Sequence, residues 1–163
     1  IEIELSSVAG REFLLKEYIT SLNEKYDYIL LDCPPNLGLM TLNGLTTAKE
    51  VFIPLQTEFL ALQGLSELMK TIEIVKRRLN PNLEITGVIG TLFDNRKNLN
   101  KEIIEKIQEY LDGKLFKTLI RDNIALAEAP SFGKDIFEYK QNSHGAKDYM
   151  NLCKEIIEQE GNL

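Results

Sequence analysis

The 163-residue sequence has no tryptophan, one histidine and two cysteines. Cys33 and Cys153 form no Cys-x-x-Cys pair and no Cys/His cluster, so structural zinc is not indicated. The apolar runs, such as residues 28–31 and 51–55, are much shorter than the ~20 residues of a membrane-spanning helix. No basic-then-apolar leader opens the chain. We therefore expect a cytoplasmic protein that does not enter a membrane.

A strong excess of positive charge is also missing. The chain has 19 Lys and Arg against 25 Asp and Glu, a net charge of −6, which argues against a strongly basic nucleic-acid-binding protein. Hydrophobic residues make up 44% of the chain and charged residues 27%, a composition typical of one globular domain. Because no repeat or linker interrupts it, we treat residues 1–163 as a single domain.

Continuous apolar runs alternate with helical stripes along the chain. Runs without polar alternation indicate strands that are covered on both faces. Such runs occupy residues 26–32, 51–55, 85–93 and 115–120. Apolar residues at helical spacing occupy residues 11–22, 62–79, 99–111 and 146–157. The pattern predicts an α/β fold with a doubly wound, mostly parallel sheet and flanking helices.

Asp32 ends the first of these predicted strands. Ligands of parallel sheets bind beyond the carboxyl ends of the strands, where a carboxylate can hold Mg²⁺ through water. Pro34 and Pro35 stiffen the loop that follows, and Gly38 permits a close approach before the next helix. The alternative is that Asp32 only caps a helix or bonds a loop.

The wider string from Tyr26 to Gly38, YDYILLDCPPNLG, resembles the Walker B segment of the ParA/Soj family of chromosome and plasmid partitioning ATPases. These are deviant P-loop NTPases of the MinD/ParA type. Further segments are similar to the family in order and spacing: residues 41–46, 51–65, 94–96, 126–131, 133–134 and 143–146. The resemblance covers nearly the whole chain and starts inside the family pattern, so we expect the chain to correspond to the C-terminal two thirds.

The resemblance implies a protein that forms a homodimer around ATP and Mg²⁺, binds DNA nonspecifically and is regulated by a ParB-type partner. Asp32 would be the Walker B carboxylate that holds Mg²⁺ through water. Asp94, Arg96 and Pro130 would lie on the base side of the nucleotide, with a loop-capping aspartate, a solvated arginine and a plain turn as the alternatives. The remaining implied residues are the switch-loop positions Pro34, Pro35 and Gly38.

The phosphate-binding loop of the family is not present in this sequence. No stretch has the form GxxxxGK[ST], since Gly10-Arg11 and Gly133-Lys134 lack both the preceding glycine and the following hydroxyl. Phosphoryl transfer depends on groups that surround the phosphates, and Asp32 supplies one remote metal contact. We therefore do not expect this chain to bind ATP tightly or to hydrolyse it alone, and whether it is an enzyme stays open. The alternative hypothesis is a non-catalytic module that pairs with a full-length relative.

The basic positions also depart from the family. Asp122 and Ala125 stand where the resemblance implies arginines. Between residues 114 and 147, six Lys and Arg face four Asp and Glu, which leaves a local charge of +2. We expect weakened DNA binding with reduced salt dependence, and nucleoid association only if that binding is retained. The alternative is a solvated charged face. The candidate DNA-binding residues are Arg121, Lys134 and Lys140.

Overall fold

The computed structural model describes residues 8–22, 25–34, 36–111 and 113–161. A 3₁₀ turn, Arg11–Phe13, opens this part of the chain. The elements that follow are α1 (Leu14–Thr20), α2 (Leu39–Thr47), β1 (Glu50–Gln56), α3 (Phe59–Arg78), β2 (Glu84–Thr91), α4 (Asn98–Leu111), α5 (Ile124–Glu128), a 3₁₀ turn (Ala129–Phe132), α6 (Ile136–Lys140) and α7 (His144–Glu160). The chain divides into two units, one formed by residues 1–51 and 64–86 and the other by residues 52–63 and 87–163.

Two buried asparagines organise the first unit. The amide of Asn43 accepts a hydrogen bond from Leu15 N at 3.1 Å and donates one to Arg11 O at 2.9 Å, so it joins α2 to the N-terminal helical segment. The amide of Asn80 donates to Leu45 O and Ala48 O at 3.0 and 2.7 Å. Since these amides satisfy buried carbonyl groups, they hold the chain in place without leaving unpaired polar atoms.

Most residues of a parallel β-sheet belong to the second unit. Strands β1 and β2 pair with each other, and their bonds join Lys49 to Glu84 and Thr57 to Thr91, which shows that they run in the same direction. The other edge of β2 pairs with residues 114–122 through bonds such as Phe116 N to Val88 O at 2.9 Å. Only two isolated parallel bridges are assigned along this segment. It therefore acts as a third, interrupted strand.

Helix α7 satisfies backbone groups of that interrupted strand. The carboxylate of Glu155 accepts hydrogen bonds from Lys117 N and Thr118 N at 2.8 and 2.9 Å, and Asp148 accepts one from Arg121 N at 3.1 Å. These side chains supply partners to amides that a further strand would otherwise bind.

The predicted α/β fold class is confirmed, as are strands at residues 51–55 and 85–93 and the four predicted helices. The apolar stripe predicted over residues 99–111 begins with Leu99, and the buried face of α4 differs from it at this one position. Leu99 is 53% exposed, and Asn100 instead joins the buried positions. Among the described residues, every helix is too short or too polar to cross a lipid bilayer.

The prediction of a buried strand over residues 26–32 is wrong. No strand is assigned to its residues, and the side chains of Tyr28 and Leu30 are 60% and 88% exposed. An apolar run becomes a strand only when a neighbouring strand supplies a hydrogen-bonded ladder, and no ladder is assigned to this run in the part of the chain that the structure describes.

Candidate functional site

Asp32 lies on an exposed stretch of the first unit, not at the end of an assigned strand. The loop that follows is held by Thr41, whose hydroxyl is within hydrogen-bond distance of Pro34 O at 3.2 Å and Asn36 O at 2.6 Å. Gly38 is the N-cap of α2 and has extended backbone angles, φ −82° and ψ −172°. Pro35, the remaining switch-loop candidate, lies outside the described residues.

Cys33, next to Asp32, lies against α2. A Cβ atom at Gly44 would be 2.6 Å from the Cys33 sulfur, so a larger residue there would require the Cys33 side chain to move. Although Cys33 is exposed as a residue, partial burial of its thiol, with the neighbouring Asp32 charge as a smaller cause, raises the pKa of Cys33. The thiol therefore stays protonated near neutral pH and is a packing group rather than a nucleophile.

A small cavity of about 270 Å³ lies at the start of α2. Its volume is below the ~300–1,000 Å³ of typical small-molecule sites, so it does not by itself accommodate a nucleotide. Within the described ranges, no three His, Cys, Asp or Glu side chains group together as metal ligands. The single Asp32 carboxylate fits one water-mediated contact to Mg²⁺ and no more. The cavity is lined by Arg11, Leu37, Gly38, Leu39, Thr41, Leu42, Leu45 and Thr71.

Asp94 and Arg96, in the second unit, form a two-pronged ion pair beyond the end of β2. Arg96 Nε donates to Asp94 Oδ1 and Arg96 Nη2 to Asp94 Oδ2, each at 2.9 Å, and Arg96 N donates to Oδ1 at 3.0 Å. The Arg96 side chain is 86% exposed, whereas that of Asp94 is 13% exposed. The structure therefore brings these two predicted residues together, with the arginine facing solvent.

The hydrogen bonds from Arg96 lower the pKa of Asp94 to about 2, and the charges of Arg96 and Lys97 contribute less. Because this folded-state pKa lies below the value of ~3.9 for an unfolded aspartate, the pair stabilises the folded state fully above about pH 4. That contribution is lost as the pH falls through about 2.

A buried polar network supports the Asp94 loop. Asn100, which is 5% exposed, accepts from Asp94 N at 2.9 Å and donates to Thr57 O at 2.6 Å. Thr57 is fully buried and directs its hydroxyl to Thr91 O and Leu92 O at 3.3 and 3.4 Å. The network thus joins the carboxyl ends of β1 and β2 to the loop and to the first turn of α4.

Arg121 forms the other prominent ion pair of the second unit. Its Nε and Nη2 atoms donate to the Asp148 carboxylate at 2.9 and 2.6 Å, and this pairing raises the pKa of Arg121. Asp148 is only 5% exposed, and the Arg121 side chain is 43% exposed. The Nε and Nη2 atoms of Arg121 are therefore already hydrogen-bonded to Asp148.

The remaining predicted residues lie on the surface of the same unit. Pro130 is exposed within the 3₁₀ turn, which Gly133 ends with a positive φ of 64°. Lys134 lies two residues before α6 and Lys140 is its last residue, and both are exposed. Asp32 belongs to the first unit, so the predicted residues are divided between the two.

Three residues that support the Asp94 loop and Arg121 were not predicted from the sequence: Thr57, Asn100 and Asp148. Thr57 could have been found, because it follows β1 directly and polar residues at the carboxyl ends of parallel strands lie in the binding region. Asn100 gave only a weak signal, a polar residue in an otherwise apolar helix stripe. Asp148 gave none, since its partner Arg121 is 27 positions away.

Known proteins similar to this one match nearly the whole chain. A model of the AAA domain family matches residues 1–85, just over half of the sequence. The chain is 46% identical over 155 residues to the sporulation initiation inhibitor protein Soj of Bacillus subtilis, covering 95% of this chain and 61% of that protein. It thus spans about three fifths of the length of this relative.

Solved structures give a similar result. A putative plasmid partition protein of Borrelia burgdorferi bound to AMPPNP matches 94% of this chain and 58% of its own, with 26% identity and a TM-score of 0.73. Cobyrinic acid a,c-diamide synthase of Mycobacterium smegmatis, with a bound ATP analogue and magnesium, matches 91% of this chain and 54% of its own, with 33% identity and a TM-score of 0.76.

Proposed function

Because the chain belongs to the ParA/Soj family of AAA-domain proteins, we propose that it is the part of an ATP-dependent partitioning protein that carries the Walker B, base-side and candidate DNA-binding residues. The observation that carries this proposal is the 46% identity to Soj over 95% of the chain. The proposed function includes a homodimer around ATP and Mg²⁺, nonspecific DNA binding in the cytoplasm and regulation by a ParB-type protein.

The nucleotide roles are assigned from the resemblance to the family, and the chemistry of each residue is compatible with them. Asp32 has the exposed carboxylate that a hydrated Mg²⁺ requires. Asp94 and Arg96 offer an acceptor and donors beyond β2, and Pro130 offers an apolar ring on an exposed turn. Magnesium would supply charge neutralisation at the phosphates. Solved relatives that hold AMPPNP, or an ATP analogue with magnesium, support this assignment.

Calorimetry with ATP and Mg²⁺ tests the proposal. We expect this chain alone to show no saturation below about 1 mM ATP, because no glycine-rich loop surrounds the phosphates. A longer chain with such a loop ahead of residue 1 should bind in the micromolar range and hydrolyse ATP. In that longer chain Asp32→Ala should abolish hydrolysis, whereas Asp27→Ala, which removes an exposed carboxylate of the same stretch, should not. Micromolar binding by the present chain would contradict the need for the loop.

DNA binding is proposed to rest mainly on Lys134 and Lys140, because Arg121 is already paired with Asp148. Changing both lysines to glutamine should lower the affinity for random duplex DNA. The slope of log K against log salt should fall by about 1.8, since each phosphate contact contributes ~0.9. The matched control changes Lys101 and Lys106, two exposed lysines of α4, to glutamine. An equal loss in both double variants would show that only net charge matters.

A further inference from the structure

The loop after β2 combines backbone strain with a buried polar network. Leu92 has a φ of 52°, which is uncommon for a residue with a side chain. Such strain persists only where the surroundings over-determine it, and it is concentrated at functional sites. Here the Thr57 hydroxyl lies 3.4 Å from Leu92 O, and the buried Asn100 side chain joins Thr57 to Asp94.

Asp94 has every polar group engaged. Its N–H donates to Asn100, its carbonyl accepts from Lys97 N at 3.1 Å, and its carboxylate accepts from Arg96. Ion pairs with an exposed arginine are usually loose, because ordering two side chains costs as much as the attraction provides. The Arg96 side chain is 86% exposed and the Asp94 side chain 13% exposed, so the aspartate is the member of this local pair that the buried network reaches. The bond from Asp94 N to the Asn100 side chain links the Asp94 backbone to the buried network, and the preceding residue, Phe93, is held by backbone bonds to Ile120 O and Asp122 N at 3.1 Å each.

We propose that Asn100 is a positioning residue for residues 92–97: it fixes the backbone of Asp94 and thereby holds the Asp94–Arg96 pair formed before a ligand binds. The pair places a carboxylate acceptor beside guanidinium donors.

An NMR titration of the Asp94 carboxyl in the folded 18.6 kDa chain tests the positioning role. In Asn100→Ala the Asp94 pKa should rise from about 2 by roughly one unit, toward the ~3.9 of a free aspartate. Exchange of the Asp94 amide with solvent should become at least about tenfold faster, since its acceptor is gone. Arg96 and Lys97 face the carboxylate and Asp122 faces Arg96, and none of these is changed.

Asn80→Ala is the matched control, because it also removes a buried amide with two hydrogen bonds, but in the first unit. It should destabilise the protein and leave the Asp94 pKa at about 2. If Asn100→Ala does not fold, Asn100→Ser is measured by the same criterion. An unchanged Asp94 pKa in a folded Asn100 variant, or an equal rise in Asn80→Ala, would overturn the proposal.

Discussion

Replacing Asp148 by alanine is expected to lower the free energy of unfolding by about 3 kcal/mol, because it leaves a guanidinium and a backbone N–H without their shared partner. The Asp148 side chain is 7% exposed, and its carboxylate accepts three hydrogen bonds from Arg121. Removing one partner of a fully buried pair costs ~3–5 kcal/mol, and the 43% exposure of the Arg121 side chain places this case at the lower end. Urea unfolding measures the difference.

Asp122→Ala is the matched control, since Asp122 is the exposed carboxylate next to Arg121 in the sequence. It should change the stability by no more than about 0.5 kcal/mol. Asp148→Asn keeps one oxygen that can accept from Arg121 N or Nε, so its loss should fall between the two. If Asp148→Ala costs less than about 1 kcal/mol, the pair is a surface contact and Arg121 is available for DNA phosphates.

Gly87→Ala is expected to lower the free energy of unfolding by about 3 kcal/mol, the upper end of the usual cost of overpacking. A Cβ atom at this position would lie 2.5 Å from Phe116 Cε2 and 2.9 Å from Lys114 O. Phe116 is 2% exposed and stacked on Phe52, with ring centroids 6.0 Å apart, so its ring has little room to retreat. Lys114 O is bonded to Val88 N at 2.7 Å, so the added methyl group would also displace the ladder itself.

Gly64→Ala provides the opposite case. Gly64 lies within α3, and a Cβ atom there would meet nothing within 4 Å. The substitution should stabilise the protein by about 0.5–1 kcal/mol, because alanine loses less backbone entropy than glycine in a helix. Thermal or urea unfolding of both variants in parallel shows whether Gly87→Ala lowers the free energy of unfolding and Gly64→Ala raises it. Equal behaviour of the two variants would contradict the close packing at Gly87.

Part of the candidate site could be predicted from the sequence alone. Asp94 and Arg96 were identified together, and the structure joins them at 2.9 Å because they are two residues apart and the turn between them is local. Arg121 was predicted as a DNA-binding residue, but its engagement with Asp148 could not be seen. That partner is carried by α7, and only the packing of α7 against the interrupted strand brings the two side chains together.

The sequence by itself determined the elements whose energetics are local or repeat along one helix or strand. The apolar stripe of α3 and the strands β1 and β2 fall where they were predicted. The predicted cover on both faces is not complete in β1, where buried and exposed residues alternate at the carboxyl end and Pro54 is exposed. Tertiary structure decided the rest. Residues 26–32 are as apolar as β2 but form no assigned strand, because a ladder depends on a neighbour that the segment cannot specify. The burial of Asn100 in place of Leu99 likewise depends on Thr57, 43 residues earlier, which supplies the carbonyl that its amide must meet.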